Sequence, residues 1–391
     1  ENTDYGSSGS GVNGMAWAHN YSYFYAGGGN GGVQLFDVLG NHVSTLHQMA
    51  GDINEIALSP DGTMLAVASD DGGCKILNST TGSLIVELLN TTTDILAIAW
   101  AGDSSKVILS TGAIEVQWFH TSNWTHEMTL SNLPSWTSGI DSTPDGRLIF
   151  FSTNNNLRGY WTTNGTMYLN MTNHTEYIRS VVVSPDGRYV ATGSNDNNVK
   201  ITDIATKTVV ATVWAGSDVY DIDFSPDGGT MVVARGRSSD MYAYRTDTWT
   251  SLGAMENFGS SNNNRGVYSV EFHVDGDKLA VGWRRGYVSI HMAADAYIRV
   301  HGLHYTSLME NPWRSTYLTL DESVRVWNFD RITSTLDVCD SKHYIGSSPN
   351  GVSPQYADKA ANYSDTGLWD CKYTEGQILE IPYGRAAGAL M

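Results

Sequence analysis

Short apolar runs recur along most of the chain, and each is closed by a polar turn at a regular spacing. Ile56-Ala57-Leu58 leads into Ser59-Pro60-Asp61-Gly62, Val181-Val182-Val183 into Ser184-Pro185-Asp186-Gly187, and Ile222-Asp223-Phe224 into Ser225-Pro226-Asp227-Gly228. Thr143-Pro144-Asp145-Gly146 is a variant of the tetrapeptide and His273-Val274-Asp275-Gly276 a degenerate copy. Ala101-Gly102-Asp103-Ser104 and residues 18–21 hold the same place in the pattern, so that successive steps are 41, 42, 42, 41, 41 and 48 residues. Pro presets φ in such a turn, Asp bonds its own backbone, and Gly takes positive φ. A second apolar run follows each turn, as at 64–68 and 189–192. Then come a turn rich in Asp, Asn and Gly, a third run (74–77, 199–202) and a fourth (84–88, 208–213). Four short antiparallel strands per period of about 40 residues describe one blade of an all-β propeller. Third-strand candidates at 33–38, 74–78, 114–120, 157–161, 199–203, 241–245, 288–292 and 324–328 predict eight blades. Seven blades with an appended sheet are the competing count, because the last unit lacks the tetrapeptide. The propeller is placed at 12–338, between a polar, Gly- and Ser-rich arm (1–11) and a C-terminal extension (339–391) without blade pattern.

The stretch Ser194-Asn195-Asp196-Asn197-Asn198-Val199-Lys200-Ile201-Thr202-Asp203 resembles a repeat of the WD-repeat family and of its relatives with Tyr-Val-Thr-Asn repeats. Ser323-Val324-Arg325-Val326-Trp327-Asn328 resembles a third strand of that family, and the likeness extends over roughly 12–338. The resemblance implies the propeller fold. Two departures stand out: the Gly-His pair that opens such repeats is missing, and Trp-Asp is replaced by Phe36-Asp37, Leu77-Asn78 and Thr202-Asp203. They speak against the hydrogen-bonded polar tetrad of typical WD blades, and against carrying over an intracellular scaffold role.

Composition narrows the partners. Only 16 % of the 391 residues are charged, against roughly 25 % in an average domain, and 41 acidic against 23 basic side chains give a net charge of −18. Such a surface repels phosphate backbones and anionic lipid, so no nucleic-acid partner is expected. No apolar run approaches the roughly 20 residues of a membrane span. The numbering opens at Glu1, which reads as a chain whose signal peptide has been removed, and this places the protein outside the cell or on its surface.

Eight sequons begin at Asn20, Asn78, Asn90, Asn123, Asn164, Asn170, Asn173 and Asn362. Most fall at expected turns, where a glycan is tolerated, although Asn is common in turns in any case. Cys339 and Cys371 are expected to form a disulfide that staples the extension, with two free thiols as the alternative. Cys74 aligns with Val199 and reads as a small buried hydrophobe. Asp70-Asp71 and Asn195-Asp196-Asn197 have donors for weak Ca²⁺ binding, yet turn formation explains them fully. No Cys/His set has zinc spacing, so neither metal nor other cofactor is expected. Trp17, Trp100 and Trp214 sit in apolar strands and read as core. Trp124, Trp136, Trp249 and Trp313 lie near turns and suit sugar stacking, a protein interface or packing between blades.

No Gly-x-Ser-x-Gly, His-Glu-x-x-His or phosphate loop occurs, so no catalytic residue is expected. The leading expectation is an extracellular structural protein that self-associates into a filament or array. Its assembly strand would come from a terminus, with Ile378, Leu379, Ile381 and Tyr383 as candidates. The alternatives are a monomeric surface module for glycan or protein, and a propeller hydrolase or oxidoreductase.

Overall fold

The computed structural model describes residues 3–4, 11–19, 22–38, 40–236, 241–255, 266–276, 278–284 and 287–292, and short strands at 318–320, 324–326, 335–336 and 379–380. The chain divides into two units, residues 1–251 with 257–291, and 252–256 with 292–391.

After β1 (Thr3–Asp4), the strands come in fours. Blade one is β2 (Val12–Trp17), β3 (Tyr23–Gly28), β4 (Gly32–Asp37) and β5 (His42–Gln48). Blade two is β6 (Ile53–Leu58), β7 (Met64–Ser69), β8 (Gly73–Asn78) and β9 (Leu84–Asn90). Blade three is β10 (Ile95–Trp100), β11 (Lys106–Thr111), β12 (Glu115–His120) and β13 (His126–Leu130). Blade four is β14 (Ile140–Ser142), β15 (Leu148–Thr153), β16 (Asn156–Trp161) and β17 (Met167–Thr172). Blade five is β18 (Ile178–Val183), β19 (Tyr189–Ser194), β20 (Asn198–Asp203) and β21 (Thr208–Trp214). Blade six is β22 (Val219–Phe224), β23 (Thr230–Arg235), β24 (Met241–Arg245) and β25 (Ser251–Met255). Blade seven is β26 (Val267–Phe272), β27 (Lys278–Trp283) and β28 (Tyr287–Met292), and β1 supplies its outer strand through Thr3↔Val288 and Asp4↔Tyr287.

The blade count is therefore seven, the smaller of the two expected counts. The ring is already closed by the N-terminal segment, which the composition marked as a polar arm. Blade seven also meets blade one directly: Ser269 Oγ donates to Val12 O (3.0 Å) and Trp17 Nε1 to Glu271 O (2.8 Å). The segment expected as the third strand of an eighth blade lies in the second unit. There β30 (Val324–Val326) pairs with β29 (Leu318–Leu320), and β31 (Thr335–Leu336) pairs with β32 (Leu379–Glu380). Leu379 is thus set against Leu336, while Ile378, Ile381, Tyr383, Cys339, Cys371, Trp313, Asn362 and Asn20 lie outside the described residues.

Burial falls from the inner strands outward. Every residue of β15 is buried because a neighbouring blade covers each face, so the strand reads as a continuous run rather than an alternation. The outer strands β5, β9 and β21 are mostly exposed. The tetrapeptide forms a self-contained turn: Ser59 Oγ donates to Asp61 Oδ1 (2.6 Å) and accepts the Met64 N–H (3.0 Å). Thr143, Ser184 and Ser225 repeat both contacts. Two glycines at positive φ differ in their surroundings. A Cβ on Gly72 (φ +79°) would lie 2.0 Å from the Thr91 carbonyl oxygen, whereas one on Gly228 (φ +70°) would meet nothing within 4 Å. Gly228→Ala is expected to cost about 1 kcal/mol for its backbone alone, and Gly72→Ala at least about 1 kcal/mol more, because two chain segments must part. Urea denaturation of the two variants checks this, and equal losses would contradict it.

Candidate functional site

The inner strand of a blade presents one unpaired edge toward the axis, and its backbone N–H and C=O groups need partners. Side chains of the neighbouring blades, before and after it, supply them. For the carbonyls, Trp100 Nε1 donates to Ala57 O (2.9 Å), Ser142 Oγ to Trp100 O (2.8 Å) and Ser138 Oγ to Ile178 O (2.7 Å). For the N–H groups the partner is a carboxylate. Glu55 accepts from Ile98 (2.8 Å), Asp141 from Val183 (2.7 Å), Asp221 from Val270 (3.0 Å) and Asp223 from Phe272 (2.6 Å), each across a blade boundary. Asp221 also accepts the hydroxyl of Ser180 from the blade before (3.1 Å).

These four acids and Glu271 line an axial cavity of about 490 Å³. They stand two or four residues ahead of the turn residue, positions that other blades fill with Gly, Ala, Ser or Val. Each keeps some surface on the cavity while protein surrounds it. Among the described residues none of the five forms an ion pair. Burial, only partly offset by the N–H bonds, pushes Glu55 up to about 8 and Asp141 and Asp221 up to about 6. Asp223 and Glu271 are also held well above the usual carboxyl range, first by burial and then by the neighbouring acids. Near neutral pH the cavity therefore holds both carboxylates and carboxylic acids, and it is poised to bind protons or a cation.

One mouth of the cavity is built by β-bulges. In six of the seven inner strands the register slips at the second residue, at Asn13, Asn54, Leu96, Arg179, Tyr220 and Tyr268. A bulge frees that residue from the ladder and re-aims it. Tyr220 and Tyr268 stack at 4.7 Å and 14°, and the Arg179 guanidinium lies 4.3 Å over the Tyr220 ring while its Nε donates to Asn195 Oδ1. All three half-buried side chains line the cavity. A propeller sequence allows paired carboxylates around its central channel, but a single sequence does not show which acids converge there.

The sequence-derived candidates lie elsewhere. Asn90, Asn123, Asn164 and Asn170 are exposed, and Asn78 is half-buried in its turn. Asn173 differs from them: it is 7 % exposed and its Nδ2, where sugar would attach, donates to Thr192 Oγ1 (3.3 Å). Burial pushes the Cys74 thiol up to about 12, which fits an inert core side chain. Asp71 spends its oxygens on the N–H groups of Gly73 (2.8 Å) and Ala50 (2.9 Å), as a turn residue does. Among the described residues no group of three His, Cys, Asp or Glu has metal-binding geometry. Trp17 and Trp100 are core, but Trp214, also expected there, is 73 % exposed because it ends an outer strand.

A polar network in blade five also overturns an expectation. His174 is buried, with Nδ1 on Asp196 Oδ2 (2.9 Å) and Nε2 on Thr192 Oγ1 (2.9 Å). Three members of the polar tetrad are thus present, and Thr202 stands where Trp would be. Asn173-His174 takes the place of Gly-His, which is why the sequence hid it.

Comparison with known families agrees with this blade. The family described as "WD domain, G-beta repeat" matches residues 165–203, which hold the His174 network. The family described as "Anaphase-promoting complex subunit 4 WD40 domain" matches residues 40–103, spanning blade two. No curated protein matches the chain.

Proposed function

Starting from a chain that is a WD-repeat β-propeller, we propose that it is a non-catalytic interaction module that seats an extended partner segment across the bulged mouth of its channel. One cationic side chain of that segment reaches the carboxylates inside. The observation that carries this reading is the set of five acids lining a cavity of about 490 Å³ with no ion pair among the described residues. Tyr220 and Tyr268, stacked on each other with the Arg179 guanidinium over Tyr220, line the entrance that the segment would cross.

The test is calorimetric titration with short extended peptides that differ only in a central Lys or Gln. The Lys peptide is expected to bind at least about tenfold more tightly, which corresponds to about 1.4 kcal/mol. The double variant Asp141→Asn, Asp223→Asn keeps an oxygen for the Val183 and Phe272 N–H groups of the next blade, gives up the acceptors of Ser142 and Phe224, and is expected to lose the preference. Equal binding of both peptides, or of neither, would overturn the proposal.

A second reading, an extracellular structural propeller that associates with copies of itself, is favoured by the outer strand of blade five. β21 carries no charged residue, and Val209, Val210 and Trp214 are exposed on it.

A further inference from the structure

We infer that the cation taken by the channel is the guanidinium of an arginine side chain, held by a two-point contact on Glu271. The inference rests on the reading of the channel as a cation seat and names the group that fills it.

The channel acids differ in what their oxygens already do. Asp141 accepts the N–H groups of Ser142 (2.7 Å) and Val183 (2.7 Å), one on each oxygen. Asp221 accepts those of Ile222 (2.9 Å) and Val270 (3.0 Å) in the same way, and Asp223 those of Phe224 (2.8 Å) and Phe272 (2.6 Å). Glu55 commits one oxygen to Ile98. Among the described residues nothing donates to either carboxyl oxygen of Glu271.

The reason is local. Asp141, Asp223 and Glu271 stand two residues ahead of the turn residues Thr143, Ser225 and His273. The two aspartates reach the N–H just ahead of the next blade's turn residue, at Val183 and Phe272. Between blades seven and one that N–H belongs to Trp17, and no hydrogen bond joins it to the Glu271 carboxyl. The Trp17 indole closes this boundary instead, by donating to the Glu271 backbone carbonyl (2.8 Å). The backbone is thus fixed and the carboxyl is left over. An enclosed carboxyl without a partner is costly, which points to a donor that arrives from outside.

The acceptor sets the chemistry of that donor. A carboxylate with both oxygens open matches the planar fork of a guanidinium, whereas a Lys ammonium is a point charge that gains little from the second oxygen. A guanidinium is also more weakly hydrated, so it loses less on entering an enclosed site. Arg179, the one guanidinium among the lining residues, lies over Tyr220 and donates to Asn195 Oδ1 rather than to these acids. Glu271 stands three residues beyond the bulged Tyr268, about 10 Å along the strand, a depth that calls for a long side chain. Burial and the neighbouring acids hold Glu271 above the usual carboxyl range. An arriving guanidinium offsets the charge of those acids and keeps Glu271 ionised in the complex.

The experiment is calorimetric titration of the full chain with short extended peptides that differ only in one central residue, Arg, Lys or Gln. The wild type is expected to bind the Arg peptide at least about fivefold more tightly than the Lys peptide. In Glu271→Gln that advantage is expected to vanish, with Lys still preferred to Gln. This variant removes a charge but no hydrogen bond of the fold, and circular dichroism verifies that the propeller is intact. Asp141→Asn, whose oxygens are already committed, is expected to weaken both cationic peptides alike and to keep the Arg advantage. Equal binding of all three peptides to the wild type would overturn the channel reading and this inference with it. A preference for Lys over Gln with no further gain from Arg, or an Arg advantage that survives in Glu271→Gln, would overturn the role of Glu271 alone.

Discussion

Raising the pH from about 5 to about 8.5 is expected to lower the melting temperature of the propeller by roughly 5–10 °C. The cause is the ring of acids between blades. Asp141 and Asp221 titrate near 6 in the folded chain against a usual 3.8, and Glu55 near 8 against 4.5. The native state therefore binds more protons than the unfolded chain throughout the interval between these values. Stability is full below the unfolded values and is lost as the pH rises through the folded ones, the reverse of a salt-bridged carboxylate. Linkage over this window, reduced by about half because the side chains keep some surface on the channel, amounts to about 3 kcal/mol. Glu55→Gln keeps an oxygen for the Ile98 N–H and removes the ionisation, so it is expected to flatten the curve and raise the melting temperature at pH 8.5. Glu87→Gln changes the net charge equally from an exposed outer strand and controls for general repulsion. A melting temperature that is flat or rising over this interval would mean that the acids are not desolvated as described.

The repeat was legible because its turn chemistry is local. The side-chain hydrogen bonds of Ser59 and Asp61 that shape the turn reach no further than six residues, so their spacing records the blades directly. The blade number was less legible because closure is not local. A two-residue strand at Thr3–Asp4 completes the last sheet through backbone pairing, and such pairing leaves no mark on side-chain pattern. The channel was hidden for a related reason. Asp141 and Asp223 serve N–H groups 42 and 49 residues further along, and only the ring brings these partners together. Trp214 was misread because strand pattern shows alternation but not distance from the axis, and in a propeller that distance decides burial. The His174 network was missed because Asn stands where Gly usually precedes His, although the geometry needs only the imidazole between Thr192 and Asp196.

A Lys-bearing peptide is expected to bind the channel about tenfold more tightly at pH 8 than at pH 5. At pH 5 Asp141 and Asp221 are largely protonated, since both titrate near 6. A Lys ammonium, with its ordinary pKa near 10.4, keeps its charge across the range. To meet a carboxylate at pH 5 the cation must first expel a proton, and that cost vanishes once the pH exceeds the carboxyl pKa. One displaced proton from a group near 6 gives the tenfold figure, and two give about a hundredfold. Calorimetry in two buffers of different protonation enthalpy counts the protons: release is expected at pH 5 and little at pH 8 from these two aspartates. The prediction is coupled to the melting curve. A bound cation stabilises the ionised channel, so a saturating peptide is expected to protect the propeller more at pH 8 than at pH 5 and to shrink the fall in melting temperature between them. Binding that is independent of pH, with no proton release, would place the cation away from the acids, and the channel would then be a structural hub whose carboxyls only staple the blades.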